Sequence, residues 1–312
     1  MVKPLLTLSL VNLLAVQCGY PIAPRVRREF SQRMTEVDSV APRDKHIVDE
    51  LIEDRAPKLI HTPLWPLIKL LGYPQLGYRR AVWMADRIAA MSGTECLEWT
   101  ADFLHLDIEV HGLENVPETG ACVIVANHPG GIADGLALWD AIKARRPDTV
   151  YLANRDALKV CPGLEERIIP VEWREGERNR SQSRELLKRS IEEFRAGKCV
   201  VIFPSGRMSE WSWKKWRLCD KVWHPTAASL ARKFEAPVIP LSVRQRMPFL
   251  YYALAQINEE LKDMTIFHGL MGKAGARYRL DFGRPQMIGK DDGTDAEVTL
   301  MLRDMCERQA WG

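Results

Sequence analysis

The 312-residue chain has no Cys-x-x-Cys pair, and its seven cysteines carry no zinc-type spacing. That argues against a metal ribbon or a dithiol redox site. The set is odd in number and scattered: Cys18, Cys96, Cys122, Cys161, Cys199, Cys219 and Cys306. Cys122 and Cys199 sit inside apolar runs, which predicts reduced core residues and a reducing compartment. Charge of one sign is equally scarce. Lys and Arg number 44 against 41 Asp and Glu, and the resulting +3 is too small to argue for a nucleic-acid partner. No apolar run has the length of a membrane-spanning helix. The stretch from Pro4 to Val16, after Lys3, has signal-peptide length but no small-x-small cleavage site behind it. We read residues 1–28 as an interfacial anchor or as residues upstream of the true start. Internal repeats and low-complexity linkers are missing too. The remaining composition, 46% apolar, is that of an ordinary globular protein with one large α/β domain or two smaller ones.

Three regions emerge from the patterning. Glu29 to Arg55 is polar and charged. Pro63 to Leu106 has helical apolar spacing, with Trp65, Leu67, Leu70, Leu71, Trp83, Met84, Ile88 and Met91 supplying the faces. Trp65-Pro66 and Tyr73-Pro74 are expected to break that region into short pieces. We therefore take 29–106 as a helical N-terminal region and 107–312 as an α/β domain.

The richest chemistry lies in Asn127-His128-Pro129-Gly130-Gly131-Ile132-Ala133-Asp134-Gly135. An apolar run, Ala121 to Ala126, precedes it and reads as a buried strand. Leu136 to Lys143 follows with helical spacing. A histidine and an aspartate thus share a glycine-rich turn between strand and helix. Glycine frees the backbone there and lets a substrate approach. An imidazole oriented by a carboxylate is the minimal device for taking a proton from a hydroxyl. The plainer alternatives are an N-cap role for Asp134 and a buried, satisfied His128. As metal ligands, His128 and Asp134 lack a third partner, so no metal is expected.

Three further strands end in notable residues. Arg167 to Arg174 is an apolar strand closing on Arg174, whose planar fork suits an anionic group; the alternative is a solvated arginine. Val200 to Phe203 runs into Pro204-Ser205-Gly206-Arg207. Ser205 has no glycine two residues before it, so the nucleophile-elbow pattern is not met. Ala236 to Val243 is a buried strand with Pro240 inside, which suggests an edge or a bulge. Arg277 to Pro285 alternates with period two. Trp211, Trp213, Lys214, Lys215, Trp216, Arg217, Lys221 and Trp223 crowd behind the Ser205 turn. That mixture reads either as a membrane-surface contact or as a packed loop with tryptophans in the core.

These blocks, in this order, resemble the glycerolipid acyltransferases of the lysophosphatidate type over roughly residues 50–288. The Asn-His-Pro-x-Gly start resembles their haemolysin-like and lyso-ornithine lipid acyltransferase branch. Here the spacing is His128-x5-Asp134 where the family's usual motif is His-x4-Asp. Ser205 stands where the family's third block has glutamate. The resemblance implies an α/β fold with a mixed, largely parallel sheet flanked by helices. It implies His128 as general base and Asp134 as its orienting partner. It implies that Arg174, Ser205, Gly206 and Arg207 hold the acceptor, and that amides near Gly130, Gly131 or Gly206 stabilise an oxyanion. It implies a lysolipid acceptor such as 1-acylglycerol-3-phosphate, or a lyso-ornithine or other lyso-amino-acid lipid. The co-substrate would be acyl-CoA or an acyl carrier protein thioester, with no further cofactor. Peripheral attachment at the cytoplasmic face of the inner membrane follows from the same likeness. The departures at Ser205 and in the His–Asp spacing also fit a membrane-surface lipid-binding protein that keeps the fold without catalysis.

Overall fold

The computed structural model describes residues 45–172 and 179–311. Arg174 and the apolar segment 1–28 lie outside the described residues. Among the described residues four α-helices come first: α1 (Ile47–Asp54), α2 (Trp65–Gln75), α3 (Tyr78–Ile88) and α4 (Gly93–Leu104). The prolines act differently from the expectation. Pro66 sits in the first turn of α2, where its missing N–H costs nothing, and Pro74 sits in the last turn. The break falls instead at Gly77, in a left-handed conformation (φ 70°). Ser92 and Glu95 cap α4 reciprocally.

The sheet follows. Its strands are β1 (Asp107–His111), β2 (Cys122–Ala126), β3 (Val150–Asn154), β4 (Ile168–Val171), β5 (Cys199–Ile202), β8 (Val238–Arg244) and β9 (Arg277–Phe282). The hairpin of β6 (Glu210–Ser212) and β7 (Arg217–Cys219) stands apart. The connecting helices are α5 (Ile132–Ile142), α6 (Asp156–Val160), α7 (Arg180–Arg195), α8 (Thr226–Phe234), α9 (Phe249–Ala255), α10 (Glu259–Asp263), α11 (Ile266–Met271) and α12 (Asp295–Trp311). Strand order across the sheet is β1-β9-β8-β2-β5-β3-β4. All neighbours are parallel except β8 and β9. This is the mixed, largely parallel α/β sheet the sequence predicts.

Helices cover both faces, so central strands are apolar on both sides. Along β2, Cys122, Ile124 and Ala126 pack with Leu138, Trp139 and Ile142 of α5 and Phe103 and Leu104 of α4. Val123 and Val125 point the other way, toward Phe194 of α7, Ala228 of α8 and Leu302 of α12. Each such fully buried aliphatic side chain contributes roughly 1.5–3 kcal/mol. A third cluster joins Val48, Trp65, Tyr73 and Val82 to Leu261, Met264 and Phe267. The helical N-terminal region thus shares a core with α10 and α11.

Pro240 decides between its two expectations. Its strand is no edge, since β8 lies between β9 and β2. The bulge is what the structure holds, with the extra residue in the chain opposite. Leu241 faces Phe282 while Val238 faces Gln286, so between those pairs two residues, Ile239 and Pro240, oppose three, Gly283 to Pro285. The Pro240 carbonyl still accepts from the Gly283 amide at 2.7 Å.

The described cysteines are free thiols, and all except the half-buried Cys219 are buried. No helix among the described residues is long and apolar enough to cross a membrane.

Candidate active site

β2 ends at Ala126, and the chain turns at the carboxyl end of the parallel strands, where open α/β sheets leave a crevice. Asn127 fixes the turn. Its side chain donates to the Val243 carbonyl at 2.8 Å and accepts from the Val243 amide at 2.7 Å, so it is pinned to β8. Gly131 adopts φ 73°, ψ −147°, a conformation open only to glycine. α5 then begins at Ile132, four residues before the predicted Leu136. Asp134 is therefore in the first helical turn, and the N-cap position belongs to Gly131.

This early start brings the dyad together. His128 Nδ1 lies 2.9 Å from Asp134 Oδ2, and the same oxygen accepts the Gly130 amide at 2.8 Å. Asp134 is fully buried while the His128 side chain remains partly open. With Nδ1 donating to the carboxylate, Nε2 is left as the acceptor for a substrate proton. Phe203 stacks on the imidazole with ring centroids 4.3 Å apart. The Gly130 amide, expected as an oxyanion donor, is instead spent on Asp134. The Gly206 amide is likewise spent on the Phe203 carbonyl at 3.0 Å.

Several site residues were not singled out in the sequence. Asp220 Oδ1 accepts the His128 amide at 3.2 Å, and Ser209 donates its amide to the His128 carbonyl at 2.9 Å. The Ser209 hydroxyl also donates to Asp220, and Trp223 Nε1 donates to Asp220 Oδ2 at 2.9 Å. Burial pushes the Asp220 carboxyl upward while these donors pull it back. Beneath Asp134 lies Tyr278. A Cβ on Gly130 would stand 2.3 Å from Asp134 Oδ1 and 2.4 Å from the Tyr278 hydroxyl, so the two oxygens flank a space only glycine leaves open. Lys273 is 3% exposed, donates to the Arg246 carbonyl and sits 5.9 Å from the Tyr278 ring centroid. Burial pushes its ammonium down to about 8, the Asp134 charge opposing that shift and Arg246 adding to it.

The third block is differently employed. Ser205 is buried and donates its hydroxyl to the Arg207 carbonyl at 2.7 Å, and among the described residues it makes no bond to His128. That fits a turn-stabilising serine rather than a nucleophile. Gly206 takes φ 60° with open space where a Cβ would be. The Arg207 guanidinium lies 3.7 Å from both Glu259 and Asp263 on α10. Among the described residues no three His, Cys, Asp or Glu side chains group as a metal site.

The tryptophans divide. Trp223 is buried in the core, while Trp211, Trp213 and Trp216 stand out on the β6–β7 hairpin at 36%, 62% and 72% exposure.

Residues 107–244 match the family described as Acyltransferase. A lyso-glycine lipid O-acyltransferase from Phocaeicola vulgatus is 32% identical over 170 residues, covering 54% of this chain and 58% of that protein. The protein of the same description from Bacteroides thetaiotaomicron is 28% identical over 170 residues, covering 54% and 60%. The matched span is thus under two thirds of either relative. The crystal structure of a 1-acyl-sn-glycerophosphate acyltransferase from Thermotoga maritima aligns with a TM-score of 0.45 at 14% identity, over 82% of this chain and 95% of that one.

Proposed function

We propose that this chain is, through its α/β domain, a glycerolipid acyltransferase that moves a fatty acyl group from a thioester to the hydroxyl of a lysolipid, a reading supported by the Acyltransferase match over residues 107–244 and by the likeness to lyso-glycine lipid O-acyltransferases. The observation that carries the reading is the His128–Asp134 pair at 2.9 Å, buried on the aspartate side and open on the histidine side. His128 Nε2 takes the proton of the acceptor hydroxyl as its oxygen attacks the thioester carbonyl. Asp134 holds the tautomer and stabilises the imidazolium that forms. The C–O bond forms, the C–S bond breaks, and the proton passes from His128 to the departing thiolate. No protein nucleophile is required. With the Gly130 and Gly206 amides engaged elsewhere, the Gly131 amide is the remaining candidate on the turn for the oxyanion. Acyl-CoA or an acylated carrier protein supplies the acyl group. Arg207, held 3.7 Å from Glu259 and Asp263, would meet an anionic head group by exchange with those carboxylates.

Within that class, a lyso-amino-acid lipid is favoured over 1-acylglycerol-3-phosphate as acceptor. Ser205 in place of glutamate and the naming of both relatives for lyso-glycine lipid support this. Such an acceptor presents a carboxylate, for which a single arginine fork suffices. On this reading the protein works attached peripherally to the cytoplasmic face of the inner membrane, which the family resemblance supports.

The test is transfer from labelled acyl-CoA and acyl carrier protein to lysophosphatidate, lyso-glycine lipid and lyso-ornithine lipid, with wild type and His128→Ala side by side. Product should form with wild type, and His128→Ala should lower turnover by about 10²–10⁴-fold. Equal turnover in the two proteins removes His128 as the base. No product with any pair favours the non-catalytic lipid-binding alternative.

A further inference from the structure

The β6–β7 hairpin has no internal reason to look as it does. Its tip reads Trp211-Ser212-Trp213-Lys214-Lys215-Trp216, with no acidic residue among them. The three indoles pack edge to face on one another, with centroids 5.7–6.3 Å apart, and remain largely open to solvent. Lys214 and Lys215 are exposed, and neither has a carboxylate partner among the described residues. Trp216 sits at φ 50°, a left-handed conformation that an aromatic side chain rarely adopts and that glycine would take without strain. Strain of this kind persists where the surroundings impose it, and here it turns a tryptophan outward rather than into the core.

The roots of the hairpin are quite different. Ser209 immediately before β6 and Asp220 immediately after β7 bond to each other, and both bond to the backbone of His128. The hairpin is therefore a lever with an apolar, cationic tip and a base that clamps the candidate catalytic histidine.

We propose that this hairpin is an interfacial docking element that seats its three tryptophans in the headgroup layer of an anionic bilayer while Lys214 and Lys215 meet the lipid charges. Indoles suit that layer because they join an apolar body to a polar N–H, and paired lysines give charge complementarity to anionic lipid. Membrane contact at the tip holds the His128 turn at the surface from which a lysolipid arrives. The purpose of the contact rests on the lysolipid reading above, but the docking itself is measured without turnover.

The experiment uses vesicles of phosphatidylcholine alone and of phosphatidylcholine with phosphatidylglycerol, with brominated lipid as a depth-sensitive quencher of tryptophan emission. Wild type should sediment with the anionic vesicles and be quenched. Lys214→Gln/Lys215→Gln should weaken anionic binding by about thirtyfold. Trp216→Gly should melt no lower than wild type, because it relieves the strain, yet lose part of the quenching. Toward lysolipid presented in anionic vesicles the variants should raise KM and leave kcat in place. Toward lysolipid in neutral micelles they should match wild type. Binding by Trp213→Ser/Trp216→Gly as tight as that of wild type overturns the proposal, as does a large fall in the melting temperature of Trp216→Gly. Hairpin-dependent vesicle binding without acyl transfer to any lysolipid leaves docking standing and removes the proposed reaction.

Discussion

Two buried charges lie at opposite ends of β2, and they are treated differently. Arg146, at the start of the strand, is fully buried. All five of its N–H donors have acceptors: both Asp148 oxygens at 2.8 Å, the Pro117 and Gly197 carbonyls at 3.0 Å, and the Cys122 sulfur at 3.2 Å. Asp134, at the end of the strand, is equally buried, but its Oδ1 has no hydrogen-bond partner. Among the described residues its charge is answered by His128, one amide and the nearby Lys273. A saturated charge is a strut. An unsaturated one leaves room for charge to change beside it, as the proposed proton transfer at His128 would need.

The contrast breaks most severely at the strut. Arg146→Leu should lower the unfolding free energy by about 3–5 kcal/mol in a denaturant titration, because Asp148 and two carbonyls lose their partner. The fraction that stays folded should turn over at the wild-type rate. Asp134→Asn should do the reverse. Its melting temperature should stay close to that of wild type while kcat falls about 10²–10³-fold, a barrier increase of about 3–4 kcal/mol. A result in which Asp134→Asn unfolds the chain and Arg146→Leu slows the reaction would erase the distinction.

Gly130→Ala tests the space between Asp134 and Tyr278. The added methyl meets two oxygens at under 2.5 Å, so we expect a loss of about 1–3 kcal/mol in stability together with reduced turnover. The smallest effect should come from Lys273→Met, which removes the cation without changing the packing much. Turnover should drop about tenfold, or about 1.4 kcal/mol of barrier. The pH dependence supplies a sign. The folded ammonium titrates near 8, below its ordinary value of 10.5, so between those limits the unfolded chain binds the additional proton. Wild-type stability should therefore gain on that of Lys273→Met as pH rises from 8 to 10.5. Parallel stability curves for the two proteins over that window would show that Lys273 is not buried as a cation.

What the sequence made legible was local. Ala121 to Asp134 contains its own strand, turn and first helical turn, so the His128–Asp134 pair follows from short-range pattern and glycine chemistry. Its supporting residues do not. Ser209, Asp220, Lys273 and Tyr278 reach His128 or Asp134 through sheet topology, and nothing near them in the chain marks the destination. Pro240 stayed open for the same reason. A proline inside a strand suggests an edge or a bulge, and which of the two holds depends on a partner strand far along the chain. The tryptophans were ambiguous because composition cannot separate Trp223, which turns inward under Asp220, from the three that the hairpin carries outward.

β9 carries one last consequence, which concerns the order in which the molecule is made. It pairs with β1 on one side and β8 on the other, and Tyr278 on that strand closes the pocket over Asp134. Apart from Lys273, which lies five residues ahead of Tyr278, everything else at the dyad has been synthesised by residue 245. During translation, the emerging chain thus holds a histidine and an aspartate whose floor is missing, and the carboxylate stays open to water until β9 leaves the ribosome. The pocket is completed late, when β9 inserts between two strands already made.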